Sequence, residues 1–262
     1  MKTVAIIQAR MGSTRLPGKM MLHIGEKEAL THVIERVRQV EKVDEVLVAT
    51  SEKSQDLVIA ERAREAGALV YRGDELDVLE RTYNAAVEAS ANHIIRIAGD
   101  CVFTSPEIID HMVAEIHNSE AEYVSNKLDR TFPLGLDVEI FTKRSFERVA
   151  DNTASPHERE HVTAYYLENP DQFSVQNVTS DEIFERERYQ GRTDIELVLD
   201  EAADYFYLDK IYSLLPAAEQ DIQSVIDCID ERNLTAEITD VVRKTKEDVE
   251  QDQIGGQPDD TA

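Results

Sequence analysis

Short apolar runs rich in Val and Ile recur between segments of helical period, and this alternation constrains the fold more than any other feature of the chain. The runs read as strands over 3–9, 45–50, 68–71 and 93–98. A strand that is apolar at consecutive positions needs cover on both faces, so the pattern predicts a mixed, mostly parallel sheet between two helical layers. Leu30, Val33, Ile34, Val37 and Val40 fall on one helical stripe, 57–66 and 76–89 read as two further helices, and Ser105–Pro106 supplies a cap and first turn for another. The second half is less regular. Strands are expected in "YVSN", "GLDVEIFT", "FSVQNV" and "IELVL", one helix in "HEREHVTAYYLEN", and two more over about 202–215 and 218–232. A single domain over 1–243 is expected. From 244 onward, "KTKEDVEQDQIGGQPDDTA" carries too little apolar surface to offset its ordering entropy and reads as a disordered acidic tail over 244–262.

Charge narrows the function. Asp and Glu number 53 against 28 Lys and Arg, a formal charge of −25, which excludes a broadly basic face for nucleic acid. The acid is spread along the chain and Lys is scarcer than Arg, as expected of a halophilic protein kept soluble in a salty cytoplasm. Two cysteines, Cys101 and Cys228, are too few for a disulfide framework and point to a reducing compartment. No apolar run approaches the roughly 18 residues of a membrane span, so a cytoplasmic protein with no membrane partner is expected.

Against this acidic background, residues 1–25 contain no Asp or Glu, and "QARMGSTRLPGKMM" concentrates Arg10, Arg15 and Lys19 among Gly12, Ser13, Thr14 and Gly18. The stretch follows the first strand, where ligand crevices of open α/β sheets lie. Glycines let backbone N–H groups approach an anion, hydroxyls add donors, an Arg grips phosphate oxygens in pairs, and a Lys serves as a point charge. It is neither of two familiar phosphate loops. Gly12 and Gly18 enclose five residues, one more than a Walker A loop, Met20 follows Lys19 in place of a hydroxyl, and the three glycines of a dinucleotide fingerprint are absent.

Two carboxylates follow strand-like runs: Asp100 after "IIRIAG" and Asp200 after "IELVL". Either alone could be a helix cap or loop residue. Beside a phosphate loop, two hard oxygen donors from different strand ends fit one Mg²⁺ that also binds nucleotide phosphates. Asp137 and Glu139 in "GLDVEIF" are expected on one face of a strand, because strand side chains alternate. His161 in "REHVT" reads equally as a structural or a functional helix histidine.

"IIQARMGSTRLPGKMM" resembles the opening motif of the cytidylyltransferases that make CMP-sugars from acylneuraminate and 3-deoxy-manno-octulosonate, and most closely their spore-coat-polysaccharide-type relatives. The resemblance continues through "VIERV", "DEVLVATS", "VYRGDELDVLERTYNAA", "IIRIAGDC", "YVSN", "PLGLDVEIF", "REHVT" and "LVLDEAADY", covering residues 3 to about 215. It implies a three-layer α/β/α sandwich of the nucleotide-diphospho-sugar transferase, glycosyltransferase-A-like kind. It implies that a loop of Ala9, Arg10, Gly12, Ser13, Thr14, Arg15 and Lys19 holds the phosphates of CTP, with Arg72 and Arg81 near the nucleotide. By the same resemblance Asp100 and Asp200 bind Mg²⁺, and Asp137, Glu139 and His161 border a sugar substrate. The expected reaction is attack of a sugar hydroxyl on the α-phosphorus of CTP with loss of pyrophosphate, in which Arg15, Lys19 and Asp100 act directly, and the expected assembly is a homodimer. A glycosyltransferase on the same scaffold and a non-catalytic nucleotide-binding protein are the alternatives.

Overall fold

The computed structural model describes residues 1–153, 155–216 and 219–234, so the expected tail at 244–262 and the boundary at 243 lie outside the described residues. Strands and helices run β1 (Thr3–Gln8), β2 (His23–Ile24), β3 (Lys27–Glu28), α1 (Ala29–Val37), β4 (Glu45–Ser51), α2 (Leu57–Glu65), β5 (Leu69–Gly73), α3 (Val78–Glu88) and β6 (His93–Ala98). They continue with α4 (Pro106–Asn118), β7 (Tyr123–Ser125), β8 (Glu139–Thr142), α5 (Lys143–Asn152), α6 (Pro156–Glu160), α7 (Ala164–Glu168), β9 (Val175–Asn177), α8 (Ala202–Leu214) and α9 (Ile222–Arg232). Seven strands form one sheet in the order β5-β4-β1-β6-β8-β7-β9. β8 pairs antiparallel with both β6 and β7 while the other pairs are parallel, so β8 alone runs against the rest of this sheet.

The period of two explains the layers. Ala5 and Ile7 of β1, Val46 and Val48 of β4, and Ile95 and Ile97 of β6 pack into one apolar cluster with α1, α2, α4, α8 and α9. Their neighbours Val4, Ile6, Leu47, Ala49 and Ile94 pack into a second cluster with α3, α5 and α7. Consecutive side chains on a strand point to opposite faces, so a continuous apolar run requires two cores and therefore three layers. Local chemistry sets the helix starts: the Ser105 hydroxyl accepts from the Ile108 amide with Pro106 in the first turn, and the Asp77 carboxylate accepts from the Glu80 amide at 2.9 Å.

Three expected elements are altered. The helix expected in "HEREHVTAYYLEN" breaks at His161 into α6 and α7, where the β-branched pair Val162–Thr163, a poor helix former, turns into the core. "GLDVEIFT" joins the sheet only from Glu139, because the buried Asn126 side chain takes the place of a strand partner. Its amide donates to the Leu136 carbonyl at 2.8 Å and its oxygen accepts from the Val138 amide at 2.8 Å. Asp137 therefore precedes the strand and does not share a strand face with Glu139. "IELVL" buries Ile195, Leu197 and Leu199 but makes only a bridge, in which the Leu134 amide donates to the Ile195 carbonyl at 3.0 Å and the Leu197 amide to the Leu134 carbonyl at 2.7 Å.

Gly135 makes that bridge possible. Its φ is +98°, and a Cβ there would lie 2.5 Å from the carbonyl carbon of Leu197. No side chain fits between the two segments.

Glu139 is 1% exposed. Its carboxylate meets the Arg96 guanidinium, the Lys127 ammonium at 3.0 Å and the Tyr123 hydroxyl at 2.5 Å. Burial opposes its ionisation, but Arg96, Lys127 and the tyrosine outweigh burial and hold its pKa at about 2, below the usual 4.5. At the other end of the sheet, burial, with the neighbouring His117 and the N-terminus adding to it, lowers His93 from 6.5 to about 4. The His93 and His117 rings are in hydrogen-bond contact at 3.1 Å.

Two outcomes follow from these contacts. Gly135→Ala is expected to lower the denaturant midpoint, with about 1–2 kcal/mol lost to the left-handed backbone alone and more to the clash; an unchanged midpoint would contradict the packing described. A folded-state pKa below the unfolded value gives stability that is complete above the unfolded pKa and lost as pH falls. Thermal midpoints are thus expected to decline from about pH 6.5 toward 4 through His93, and again from about 4.5 toward 2 through Glu139. His93→Gln should flatten the upper part of that decline, measured by circular dichroism melts.

Candidate active site

The loop after β1 is held from below. The Ala9 amide donates to the Ala49 carbonyl at 3.3 Å, and the Met11 amide donates to Asp56 at 2.7 Å. Asp56 is fully buried and its other oxygen accepts the Ser51 hydroxyl, so the loop is stapled to the end of β4. The Met11 carbonyl accepts from the amides of Ser13 at 2.9 Å and Gly18 at 3.1 Å, and the Ser13 hydroxyl oxygen accepts from the Leu16 amide at 3.2 Å. Gly18, at φ +74°, starts a tight turn over Lys19–Met21 that carries Lys19 inward to 7% exposure, while Thr14 and Arg15 stay exposed at the tip.

The carboxylates come in from two other directions. At the end of β6, the Gly99 amide donates to the Gln8 carbonyl at 2.9 Å, and a Cβ on Gly99 would meet that carbonyl oxygen at 2.9 Å and the Met20 sulfur at 3.0 Å. The missing side chain lets Asp100 follow β6 close beside the loop. Asp200 arrives along 195–199, whose last amide, that of Leu199, donates to the Asp100 carbonyl at 3.0 Å. Its own amide donates to Asp204 at 2.9 Å, and Glu201 and Asp204 form the reciprocal cap that starts α8.

The three segments meet on one nitrogen. Lys19 Nζ lies 2.7 Å from Asp100 Oδ2 and 3.1 Å from Asp200 Oδ1, and Arg15 Nη1 lies 2.6 Å from Asp200 Oδ2. The Lys19 side chain is 9% exposed and each aspartate 21%, whereas Arg15 is 64% exposed. Among the described residues no three or more His, Cys, Asp or Glu side chains form a metal-ligating group. Asp100 and Asp200 thus offer two carboxylates without a full protein cage. That donor set fits Mg²⁺, which takes one or two carboxylates and completes its shell with water and phosphate.

Other expected site residues are placed as follows. Asp137 makes a two-pronged pair with Arg130 at 2.6 and 2.9 Å, and burial first, then the charges of Asp100 and Asp137, push the Cys101 thiol well up. Arg10 forms no ion pair among the described residues, and its charge, together with burial, lowers the pKa of Arg81. Arg72 donates to the carbonyls of Ser51 and Lys53 at 2.9 Å each, and Arg81 Nη1 donates to the carbonyls of Asp74 and Glu75 while its buried Nε has no hydrogen-bond partner among the described residues. They brace the loops around Gly12, where Glu75 Oε1 sits 3.2 Å from the position of a Cβ. Glu139 is buried and presents no face to a substrate. His161 is exposed at the end of α6 with its ring 4.6 Å from that of His157.

Sequence reading missed Arg130, Arg96 and Asp56. The signal for Arg130 was its place in "DRTFPLGLD" seven positions before Asp137; the others carried none. Size does not locate the site either. A cavity of about 930 Å³ lies elsewhere, between Lys27, His32 and Arg36 near the start of the chain and Tyr212 of α8. We place the site at the cluster, where loop, strand ends and charge converge.

Similar proteins agree with this architecture. An uncharacterized protein of Methanocaldococcus jannaschii is 37% identical over 247 residues, 93% of this chain and 97% of its own length. The spore coat polysaccharide biosynthesis protein SpsF of Bacillus subtilis is 32% identical over 215 residues, 79% of this chain and 85% of its own. The solved structure of a cytidylyltransferase from Leptospira borgpetersenii superposes with a TM-score of 0.83 at 32% identity, covering 90% of this chain and 96% of that one. Residues 4–234, which span both carboxylates and the loop, match the family model described as cytidylyltransferase. The chain belongs to the cytidylyltransferase family, a family of nucleotidyltransferases.

Proposed function

We propose that the protein transfers CMP from CTP to a hydroxyl of a surface-polysaccharide sugar, with release of pyrophosphate. The observation that carries the reading is the convergence of Lys19 and Arg15 with Asp100 and Asp200 at one point of the crevice. The sugar hydroxyl oxygen bonds to the α-phosphorus, the bond from that phosphorus to the bridging oxygen of the leaving group breaks, and pyrophosphate departs with the electron pair. The hydroxyl proton passes to solvent or to a nearby carboxylate, for which Asp137 is the candidate.

Lys19 and Arg15 supply fixed positive charge where negative charge accumulates on the departing pyrophosphate, and a charge held in place beforehand costs no reorganisation during the step. Arg10, Ser13, Thr14 and the amide of Gly12 complete the cradle for the phosphates, and Ala9 carries the chain into it from β1. Asp100 and Asp200 would hold Mg²⁺, whose contribution when bound is to neutralise phosphate oxygens. Arg72 and Arg81 act indirectly by fixing the walls behind Gly12. The name of the Bacillus subtilis relative supports a sugar destined for a surface polysaccharide. The net charge of −25 is compatible with an anionic nucleotide in a salty cytoplasm, because about 1 M salt screens charge within about 3 Å.

In molar salt with Mg²⁺, a panel of sugars and each nucleoside triphosphate in turn, CTP is expected to give pyrophosphate release well above the other nucleotides. Asp100→Asn should lower that turnover by about 10²–10³-fold while far-UV circular dichroism stays unchanged; a variant keeping most of its rate would remove Asp100 from the chemistry. Arg10→Ala should raise the KM for CTP by about tenfold, the value of one charged hydrogen bond, with a smaller change in kcat. An unchanged KM would place Arg10 outside the nucleotide site.

A further inference from the structure

The two aspartates are already occupied. Three of their four carboxylate oxygens face cations of the loop: Asp100 Oδ2 and Asp200 Oδ1 share the Lys19 ammonium, and Asp200 Oδ2 takes the Arg15 guanidinium. The remaining oxygen, Asp100 Oδ1, has only the Cys101 thiol, at 3.9 Å, among the described residues. Two carboxylates, one ammonium and one guanidinium sum to no net formal charge. A free divalent ion therefore meets a neutral cluster whose carboxylates are already paired.

We propose that Lys19 and Arg15 are a built-in competitor for the divalent ion, so that Asp100 and Asp200 accept the ion only when nucleotide phosphates draw the two loop cations away. The inference rests on the nucleotidyl-transfer reading of this site and adds an order to it. Lys19 cannot simply turn out into water, because it is 7% exposed and the turn at Gly18 fixes its backbone inward. Tethered in this way it competes at a high effective concentration. It leaves the aspartates without a buried, unpaired ammonium only if another anion replaces them, and a triphosphate bound on the loop is such an anion. Once the loop cations turn to phosphate, the two carboxylates carry an uncompensated double negative charge and become a strong site for a small dication. By linkage the ion then tightens the nucleotide by the same factor, typically about 5- to 150-fold. The device keeps the carboxylates close together and paired in the resting protein, and it withholds the ion until there is phosphate to neutralise.

Mn²⁺ is a suitable probe, because its free and bound forms are distinguished by electron paramagnetic resonance. Titrations of the full chain without nucleotide are expected to show weak binding to wild type, binding about tenfold tighter to Lys19→Met, and a smaller tightening in Arg15→Gln. Arg15 is largely exposed, so the second variant folds irrespective of the first. The gain should vanish in Lys19→Met combined with Asp100→Asn, which ties it to this site. Mn²⁺ affinity in Lys19→Met no higher than in wild type, or in Arg15→Gln should Lys19→Met fail to fold, overturns the competition. Calorimetry of wild type with CTP in EDTA tests the functional reading separately. Wild type should bind CTP without an ion; binding seen only when Mg²⁺ is added defeats the release step alone, absence of CTP binding with and without Mg²⁺ defeats the functional reading and the release step with it, and normal CTP binding alongside unchanged Mn²⁺ affinities defeats the competition alone.

Discussion

Lys19 reaches residues 81 and 181 positions further along the chain, and its single ammonium holds both of them within hydrogen-bond distance. Most features of the fold near the crevice serve that meeting. β1 and β6 lie side by side in parallel, so the loop after one and the aspartate after the other emerge at the same edge. Gly99 removes the side chain that would keep them apart, and Gly18 turns the lysine inward. A buried group of like charges without the lysine would repel itself, and a buried lysine without the aspartates would be costly to ionise. Each partner makes the other tolerable in the resting protein.

Much of this was legible in the residues alone. The parallel sheet followed from apolar runs that needed two covered faces, and the cationic loop after β1 from cations placed among glycines in an otherwise acidic chain. Asp100 was correctly placed at a strand end. Asp200 was placed by a similar argument from a run that proves to be a bridged segment rather than a sheet strand, and it reaches the crevice all the same because Leu199 is bound to the backbone of Asp100.

What could not be read is long-range. Period-two reasoning put Asp137 and Glu139 on one face, but the Asn126 side chain, eleven and thirteen residues away, interrupts the strand between them. The enclosure of Glu139 depends on Arg96, Lys127 and Tyr123, which β6, β7 and the loop after β7 bring in separately. Arg72 and Arg81 read as ligand-binding arginines in sequence, and nothing local reveals that each also donates to backbone carbonyls of neighbouring loops. A charged side chain advertises its chemistry in the sequence; whether that chemistry is already spent is a property of the fold.

The bridge between Leu134 and Glu196, closed over the bare α-carbon of Gly135, has a consequence for how such a protein diversifies. It fastens the segment bearing Arg130 and Asp137 to the segment that ends in Asp200, so the two segments are tied by backbone hydrogen bonds. An inserted or deleted residue between 130 and 137 would shift Asp200 as well, whereas an exchange of side chains on a backbone of unchanged length would leave it in place.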